Sequence, residues 1–583
     1  MARQFSNQHS TSLLTLFSIT AALVLWATNL NPPLLHGRID WFSTLIYFMA
    51  GLACLQTVIR SLQNLAHYID LFASHEPTGQ KGSAAWATVK EFKDGLTKNN
   101  SGPFWGRFAG SSSPALFFDF VSNAMTIAPA GSGKGIYTVV TNIMSIRHSK
   151  VIPDFKGELL TMLKSALEKR GEIVRVLNPG NLWSEIIGSS SDSYSPLDII
   201  SDDLARLGGL RDVMDDLREM AEQLLPEPEG KQTDNSYFRE GSRLLISNGI
   251  IFEIMIDLYD AKLSSVALLL ENRKRLEDMA RWIAGVDIED KPHPDGPFPI
   301  EHTEWAKLHD PRDVAEFAAL IRARASNILA LMSKDGRAFD SFITGAQQAL
   351  AVFAFGRLAP AMGRSTFNMR DLKEGKKPTT LFIVADSSRM EAFKGYIGLM
   401  KWCCTTAMKR HPAKDRPVYF ILDEATNYKI NGLESLLTWG RSYGIRLHLI
   451  FQDFAAFERT YGKTVLDTLL SETEIKQFLP GQRSPKTLEM ISKQMLGEQS
   501  VMAMGANRSI EHLGLNETIS EVGRPLATPD EIRRMKEGIL FVRQYRPILF
   551  EPVSYAEIEP WRSQVGINPF HGKPFRKKVK LRL

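Results

Sequence analysis

Cysteine is scarce: three thiols in 583 residues are too few for a disulfide scaffold or a four-cysteine zinc site. The twelve histidines show no HxxxH or HExxH spacing, so they point to no structural or catalytic metal centre. An excess of one charge is also lacking. The net charge is +5, and Arg576, Lys577, Lys578, Lys580 and Arg582 of the tail FRKKVKLRL supply all of it. The rest is formally neutral, which gives no ground for a globally basic nucleic-acid binder. After Tyr68 no apolar run is long enough to cross a bilayer, which excludes a many-span transporter. What is present is ordinary globular composition, 44% hydrophobic and 23% charged, so wholesale disorder and a collagen-like rod are excluded too. The length suits roughly three or four domains.

The membrane-length runs lie in the first 60 residues, one from Ser12 to Leu30 and one from about Trp41 to Ile59, both without a charge. The loop NPPLLHGRID separates them, and its proline pair ends the first segment. This pattern predicts a two-helix transmembrane hairpin anchor over residues 1–70 rather than a cleaved leader, because a second span follows. Arg3, Arg60, Lys81 and Lys90 flank the pair, against Arg38 in the loop, so both ends are expected on the cytoplasmic side. Residues 69–583 are then expected in a reducing compartment.

Residues 71–118, rich in Gly, Ser and Pro, read as a connector. In 119–200 short apolar strands alternate with helices (AMTIA, SKVIPDF, LLTMLKSALEKRG, EIVRVLNP), the mark of a parallel sheet with helices on its faces. Residues 201–345 are helical in period throughout and read as an all-α domain. Strands return in 346–560 with TTLFIVAD, VYFILDEA, IRLHLIFQD and EIKQFLPG. The expected fold is therefore α/β, a nucleotide-binding domain split by an inserted all-α domain. Residues 561–583 form a basic C-terminal tail, expected as a solvated end or a contact for anionic lipid or DNA. Cys403 and Cys404, adjacent in a helical stretch, are expected to pack as small apolar residues.

IAPAGSGKG follows the AMTIA strand and precedes an apolar helix, the setting that makes a glycine-rich turn a phosphate-binding loop. The binding candidates are Ala130, Gly131, Ser132, Gly133, Lys134, Gly135 and Ile136. The glycines let backbone N–H groups curl around phosphate oxygens, the helix N-terminus adds its dipole, and Lys134 reaches the β- and γ-phosphates. Against GxxxxGK[ST], Ala128 takes the first glycine position. Gly135 takes the place of the hydroxyl that normally ligates Mg²⁺, so water or a nearby hydroxyl such as Thr138 is expected to substitute. Asp423, at the end of the apolar strand PVYFIL, is the expected Mg²⁺ ligand, and Glu424 the base that polarises the attacking water. Gln452 ends the neighbouring strand and is the candidate γ-phosphate sensor. Arg441, in WGRSYGIRL, is the candidate arginine finger for a neighbouring subunit, with Arg446 and Arg483 as competitors. ATP and Mg²⁺ are the expected cofactors.

Taken in order, several phrases resemble one family, the coupling-protein ATPases of conjugation and type IV secretion (the TraG/TraD-like class). They are GSAAWAT at 82–88, APAGSGKG at 128–135, DFKGEL at 154–159, YSPLD at 194–198, LDEA at 422–425, GRSYGIRL at 440–447, IFQD at 450–453 and RPLATPDEIRRM at 524–535. The resemblance implies a RecA-like P-loop motor with an inserted all-α domain, assembled as a hexameric ring in the bacterial inner membrane. It also implies a relaxase–single-stranded DNA complex, or secreted effector proteins, as substrate, and type IV secretion channel components as partners. The insertion carries YFREGSRLL where the family is expected to carry an aromatic–Trp pair, which touches the part expected to recognise substrate. Two other readings are an FtsK-like double-stranded DNA translocase and a nucleotide-binding membrane receptor without motor activity. The missing hydroxyl at Gly135 favours the receptor; Asp423 and Glu424 oppose it.

Overall fold

The computed structural model describes residues 79–583, except 99–100, 111–113, 189–190, 228–235, 412–414, 428 and 509–514, together with scattered positions between 41 and 66. The first anchor segment, Ser12 to Leu30, lies outside the described residues. In the second, Trp41, Leu45, Phe48, Leu52, Leu55 and Ile59 are helical and exposed. Among the described residues no helix is long and apolar enough to cross a membrane.

The strands, in chain order, are β1 (Phe104–Phe108), β2 (Ala115–Phe117), β3 (Asn123–Ile127), β4 (Ser149–Asp154), β5 (Ile173–Leu177), β6 (Thr379–Val384), β7 (Val418–Leu422) and β8 (Ile445–Phe451). Then follow β9 (Thr473–Phe478), β10 (Glu498–Arg508), β11 (Leu515–Pro525), β12 (Gly538–Val542), β13 (Ile548–Glu551), β14 (Ile558–Glu559) and β15 (Leu581–Arg582). The chain divides into two compact units: residues 1–84 with 498–525, and residues 85–497 with 526–583.

The large unit is built on an eleven-stranded sheet of order β2-β1-β13-β12-β9-β3-β8-β7-β4-β6-β5. From β9 to β5 every pairing is parallel. Parallel strands need crossovers that cover both faces, and these strands are buried accordingly: every residue of β3, β4, β6 and β7 is inaccessible. The other four strands extend the sheet antiparallel. Two of them, β1 and β2, come from the stretch read as a connector. Phe104, Trp105, Phe117 and Phe118 there are fully buried and belong to the large unit's core.

Under the phosphate loop runs a string of buried polar groups. Thr126 Oγ1 donates to Gln477 Oε1 (2.8 Å) and lies 2.8 Å from His448 Nε2, and Gln477 Nε2 donates to the Trp105 carbonyl (3.1 Å). Burial pushes His448 down to about 3, so the ring is neutral and bonds as a plain donor–acceptor.

The first helices are α1 (Val140–Ser145) and α2 (Glu158–Lys169). Between β5 and β6 the chain is helical: α3 (Asp198–Leu204), α4 (Val213–Leu224), α5 (Ser236–Ile256), α6 (Leu263–Glu271), α7 (Arg273–Ala284), α8 (Pro311–Lys334) and α9 (Gly336–Ala354). Proline opens α8 where its missing N–H costs nothing, and Asp310 caps the same end by accepting from the Arg312 N–H. Asp335 caps α9, so one residue ends a helix and starts the next. After β6, α10 (Met390–Arg410) buries Cys403 and Cys404 as free thiols. Then α11 (Leu433–Trp439) links β7 to β8, and α12 (Phe454–Tyr461) follows β8.

The basic tail is not a loose end. Trp561 and Val565 are buried, the Gly566 N–H donates to the Met162 carbonyl (2.8 Å), and Asn568 Nδ2 donates to Glu158 Oε2 (2.8 Å). Phe570 meets Trp183 edge-on at 5.4 Å, and β15 pairs in parallel with β14. The segment therefore folds back along α2.

The small unit, as described, is the antiparallel hairpin of β10 and β11 with residues 79–84 beside it. Ser83 bridges to Gln499, and Gly82 packs so closely that a Cβ there would lie 2.3 Å from the Glu498 carbonyl oxygen.

Candidate nucleotide site

β3 ends at Ile127 in the middle of the sheet, and the Ala128 N–H donates to the Phe451 carbonyl at the end of β8 (2.9 Å). The chain then turns: the Ser132 N–H donates to the Pro129 carbonyl, and the Ile136 and Tyr137 N–H groups both donate to the Gly133 carbonyl, each at 3.0 Å. Gly131 and Gly133 have φ of 79° and 81°, which a side chain would strain. Gly133 is also closed sterically, since a Cβ would meet the Tyr137 ring at 2.6 Å. One π-helical turn, Gly135–Val139, leads into α1.

β7 lies two strands from β3, with β8 between them. At its end Glu424 adopts a left-handed φ of 54°, rare for a residue with a side chain and a mark of functional strain. The turn is held by the Glu424 N–H to Asp423 Oδ1 (2.8 Å) and the Ala425 N–H to the Ile450 carbonyl (3.1 Å). It aims both carboxylates at the phosphate loop. Lys134 Nζ stands 3.1 Å from Asp423 Oδ1 and 3.1 Å from Glu424 Oε1. Asn427 Nδ2 donates to Glu424 Oε2 (2.8 Å) and fixes its other oxygen.

Electrostatics separate the two acids. Burial raises Asp423 above the usual carboxylate range, and the Lys134 ammonium only partly offsets it. Burial would raise Glu424 too, but there Lys134, Lys156 and the Asn427 amide outweigh it and hold the carboxyl below its usual value. Burial opposes the charge on Lys134, yet Asp423 and Glu424 outweigh it and raise the ammonium.

The remaining expected residues fall into three groups. Gln452, exposed at the end of β8, shares the phosphate-loop edge of the sheet, next to β3. Arg441 sits in the 3-10 turn Gly440–Tyr443 that precedes β8, so it lies at the opposite edge, exposed. The seven residues of β8, at ~3.3 Å each, put roughly 20 Å between that turn and the phosphate loop. Arg441 does not reach the site of its own chain. Arg446 is removed from the competition: it is bound 2.8 Å from both oxygens of Asp119 and lies over the Tyr419 ring at 5.2 Å. Arg483 lies on the wall of a cavity of about 430 Å³ beside the phosphate loop. That cavity is also lined by Pro129 to Ser132, Tyr137, Lys536 and Glu551.

Thr138 is corrected as the substitute hydroxyl. It is fully buried, and its Oγ1 donates to Gln477 Oε1 (3.1 Å), so it braces the turn Gly135–Val139 against β9 and faces away from the phosphate loop. The loop's own Ser132 Oγ is buried with no hydrogen-bond partner. Nothing lies within 4 Å of where a Cβ at Gly135 would stand.

Lys156 was missed as a functional residue. β4 runs beside β7 with Ser149 opposite Val418 and Val151 opposite Phe420, so Asp154–Lys156 emerge next to Asp423–Glu424. Asp154 accepts from the Lys156 and Leu160 N–H groups (3.3 and 2.9 Å), and Trp183 Nε1 donates to the Lys156 carbonyl (2.8 Å). The available signal was the strand-end DFKG beside an acidic strand end.

The donor set fits a magnesium nucleotide. The loop carries a lysine and an unpartnered hydroxyl, and Asp423 offers a carboxylate oxygen of the hard type Mg²⁺ prefers. Among the described residues no group of three or more His, Cys, Asp or Glu could hold a metal ion. A Mg²⁺ here would draw its other ligands from phosphate and water.

A glycine-rich phosphate loop between strand and helix, with an acidic pair two strands away on a parallel sheet, defines a P-loop nucleotide-binding α/β protein. The family model for type IV secretory system conjugative DNA transfer matches residues 80–568, and the chain belongs to that family. It is 26% identical over 432 residues to the conjugal transfer protein TraG of Escherichia coli, covering 71% of this chain and 62% of the relative. It is 23% identical over 542 residues to VirD4 of Agrobacterium fabrum, covering 88% of this chain and 72% of that one. The chain thus spans less than two thirds of the TraG relative's length. Its fold resembles that of the bacterial conjugative coupling protein TrwBΔN70 (TM-score 0.53, 17% identity, 82% of this chain and 96% of that one). TrwB has also been solved with ADP and Mg²⁺ and with a non-hydrolysable ATP analogue.

Proposed function

We propose that this chain is an ATP-hydrolysing coupling protein. It recruits relaxase-bound single-stranded DNA, secreted effector proteins or both to a type IV secretion channel, and drives or gates their transfer. The observation that carries the reading is the 3.1 Å approach of Lys134 to both Asp423 and Glu424, which places the phosphate-binding lysine and the acidic pair at one site. The nucleotides solved with TrwB support ATP and Mg²⁺ as ligands of this chain. Family membership supports the channel and its DNA substrate.

In this mechanism the loop N–H groups and Lys134 hold the β- and γ-phosphates, and Asp423 holds Mg²⁺. The metal, when bound, offsets charge developing on the transferred phosphoryl group. Glu424, kept ionised by its cations and oriented by Asn427, accepts a proton from the attacking water. Gln452 senses the γ-phosphate at the same sheet edge. Arg441 serves the site of a neighbouring subunit in a homo-hexameric ring. The ring sits in the inner membrane through the hairpin 1–70, with the bulk of the chain in the cytoplasm. Deleting residues 1–70 should release the protein from the membrane and weaken assembly; a truncated chain that survives a carbonate wash in the membrane fraction would contradict the anchor.

One observation favours a second reading, a nucleotide-binding receptor without turnover: the side-chain space at Gly135 is open where a Mg²⁺-binding hydroxyl normally stands. Steady-state ATPase assays with single- and double-stranded DNA separate the readings. Stimulation by single strands supports the coupling motor, and preference for duplex points to an FtsK-like pump. ATP binding without any turnover supports the receptor.

A further inference from the structure

The C-terminal segment does more than cover α2. The family match ends at residue 568, and fifteen residues follow, carrying the basic cluster. Their path is fixed by the backbone. The Lys577 N–H donates to the Ala556 carbonyl (3.1 Å), and its own carbonyl accepts from Arg562 Nε (2.9 Å). The Lys580 N–H donates to the Glu557 carbonyl (2.8 Å) before the chain enters β15. Phe575 packs edge-on against Tyr555 at 6.2 Å.

Pinned on both sides of its peptide, Lys577 projects its ammonium over the Tyr137 ring, 5.9 Å from the centroid, and over Phe575 at 5.4 Å. Tyr137 is the residue whose ring lies against Gly133 of the phosphate loop, and it lines the 430 Å³ cavity. A few residues on, Lys580 Nζ binds Glu551 Oε1 (2.9 Å) and Glu557 Oε1 (3.1 Å). Glu551 lines the same cavity. One cation thus stacks on a ring that lines the cavity, and a second shares the lining carboxylate Glu551 with Arg107. Both raise the affinity of the cavity for a polyanion.

We infer that the C-terminal segment is a working part of the nucleotide site: Lys577, held over Tyr137, is a binding cation for the phosphate chain of a nucleoside triphosphate in its own subunit, and Lys580 screens the Glu551 charge from it. The inference rests on the nucleotide reading above. It makes the basic tail an internal element rather than an arm for DNA or lipid, and it distinguishes Lys577 from Lys578, whose side chain is equally exposed.

The test uses the full chain in detergent, titrated with a fluorescent ATP analogue at several salt concentrations. Lys577→Met keeps the stem and removes the charge. It should weaken binding roughly tenfold, the scale of one charge-assisted contact, and make affinity fall less steeply with salt. Lys577→Arg should recover most of the loss, and Lys578→Met should bind like the parent. A parent that binds ATP, a Lys134→Ala that does not, and a Lys577→Met at parental affinity overturn the inference alone. A parent that binds no ATP overturns the nucleotide reading with it. If Lys577→Met and Lys578→Met lose single-stranded DNA equally while ATP affinity stays parental, the segment is a nucleic-acid arm and the inference fails.

Discussion

Lys134 Nζ and Glu424 Oε1 stand 3.1 Å apart, joining the phosphate loop to the end of β7 across the intervening strand. A triphosphate on the loop competes with both carboxylates for this one ammonium. Lys134→Ala should therefore lose ATP binding, whereas Glu424→Gln should bind normally and lose turnover by ~10²–10⁴-fold. Lys156 remains near Glu424 when Lys134 engages phosphate. Lys156→Met should thus move the acid limb of the kcat–pH profile upward, since a cation that favours the carboxylate is gone. An unmoved limb would show that Lys156 does not act on Glu424.

Gly135 offers a gain-of-function experiment. A Cβ there meets nothing within 4 Å, and its φ is not in the left-handed region, so Gly135→Ser should fold as the parent does. The serine restores a hydroxyl where P-loops place a Mg²⁺ ligand. Half-saturation by Mg²⁺ in the ATPase assay should fall severalfold. An unchanged Mg²⁺ dependence would mean that the metal is fully served without it.

Arg441→Ala should bind ATP and assemble, yet hydrolyse poorly, because an arginine supplied in trans contributes ~10³–10⁵-fold where measured in related phosphoryl transfer. Mixed with Glu424→Gln, it should regain activity, since some interfaces then pair an intact Glu424 with an intact Arg441. Mixed rings without recovery would remove Arg441 from the chemistry.

Asp154 gives a pH-dependent signature of the strand end that carries Lys156. Burial pushes its carboxyl up to about 6. Because the folded value lies above the unfolded one, the cost of its charge is present above pH 6 and fades as pH falls toward 4. Between pH 7.5 and 5 the parent should gain about 1.4 kcal/mol of stability relative to Asp154→Asn, read as converging melting temperatures. Parallel melting curves would show that Asp154 is not the titrating group.

The parallel half of the sheet was legible because strands buried on both faces read as apolar runs, unbroken in VYFIL, broken by Thr126 in AMTIA and by Arg446 and His448 in IRLHLIF. The phosphate loop and the acidic pair were legible through their place at strand ends. β1 was not: FWGRF is short and broken by Gly106, a residue the fold requires because a Cβ there would lie 2.8 Å from the Glu551 carbonyl oxygen. Thr138 misled because sequence distance says nothing of helix face; three residues past Gly135 the hydroxyl points to β9. Lys156 was read only within DFKGEL, and the register of β4 against β7 is what sets it beside Glu424. The tail was read by its cations, while Trp561, Val565 and Phe570, which seat it, were the informative residues.

The phosphate loop and the Arg441 turn occupy opposite ends of the same strands, so the proposed service of Arg441 to a neighbouring site sets how copies must meet. A head-to-tail contact would bring the Arg441 turn of one copy to the phosphate loop of the next. Such a contact either closes on itself after a fixed number of copies or runs on as a filament. Specific activity would then climb steeply with protein concentration and vanish at dilution, and a few inactive copies would silence many neighbours.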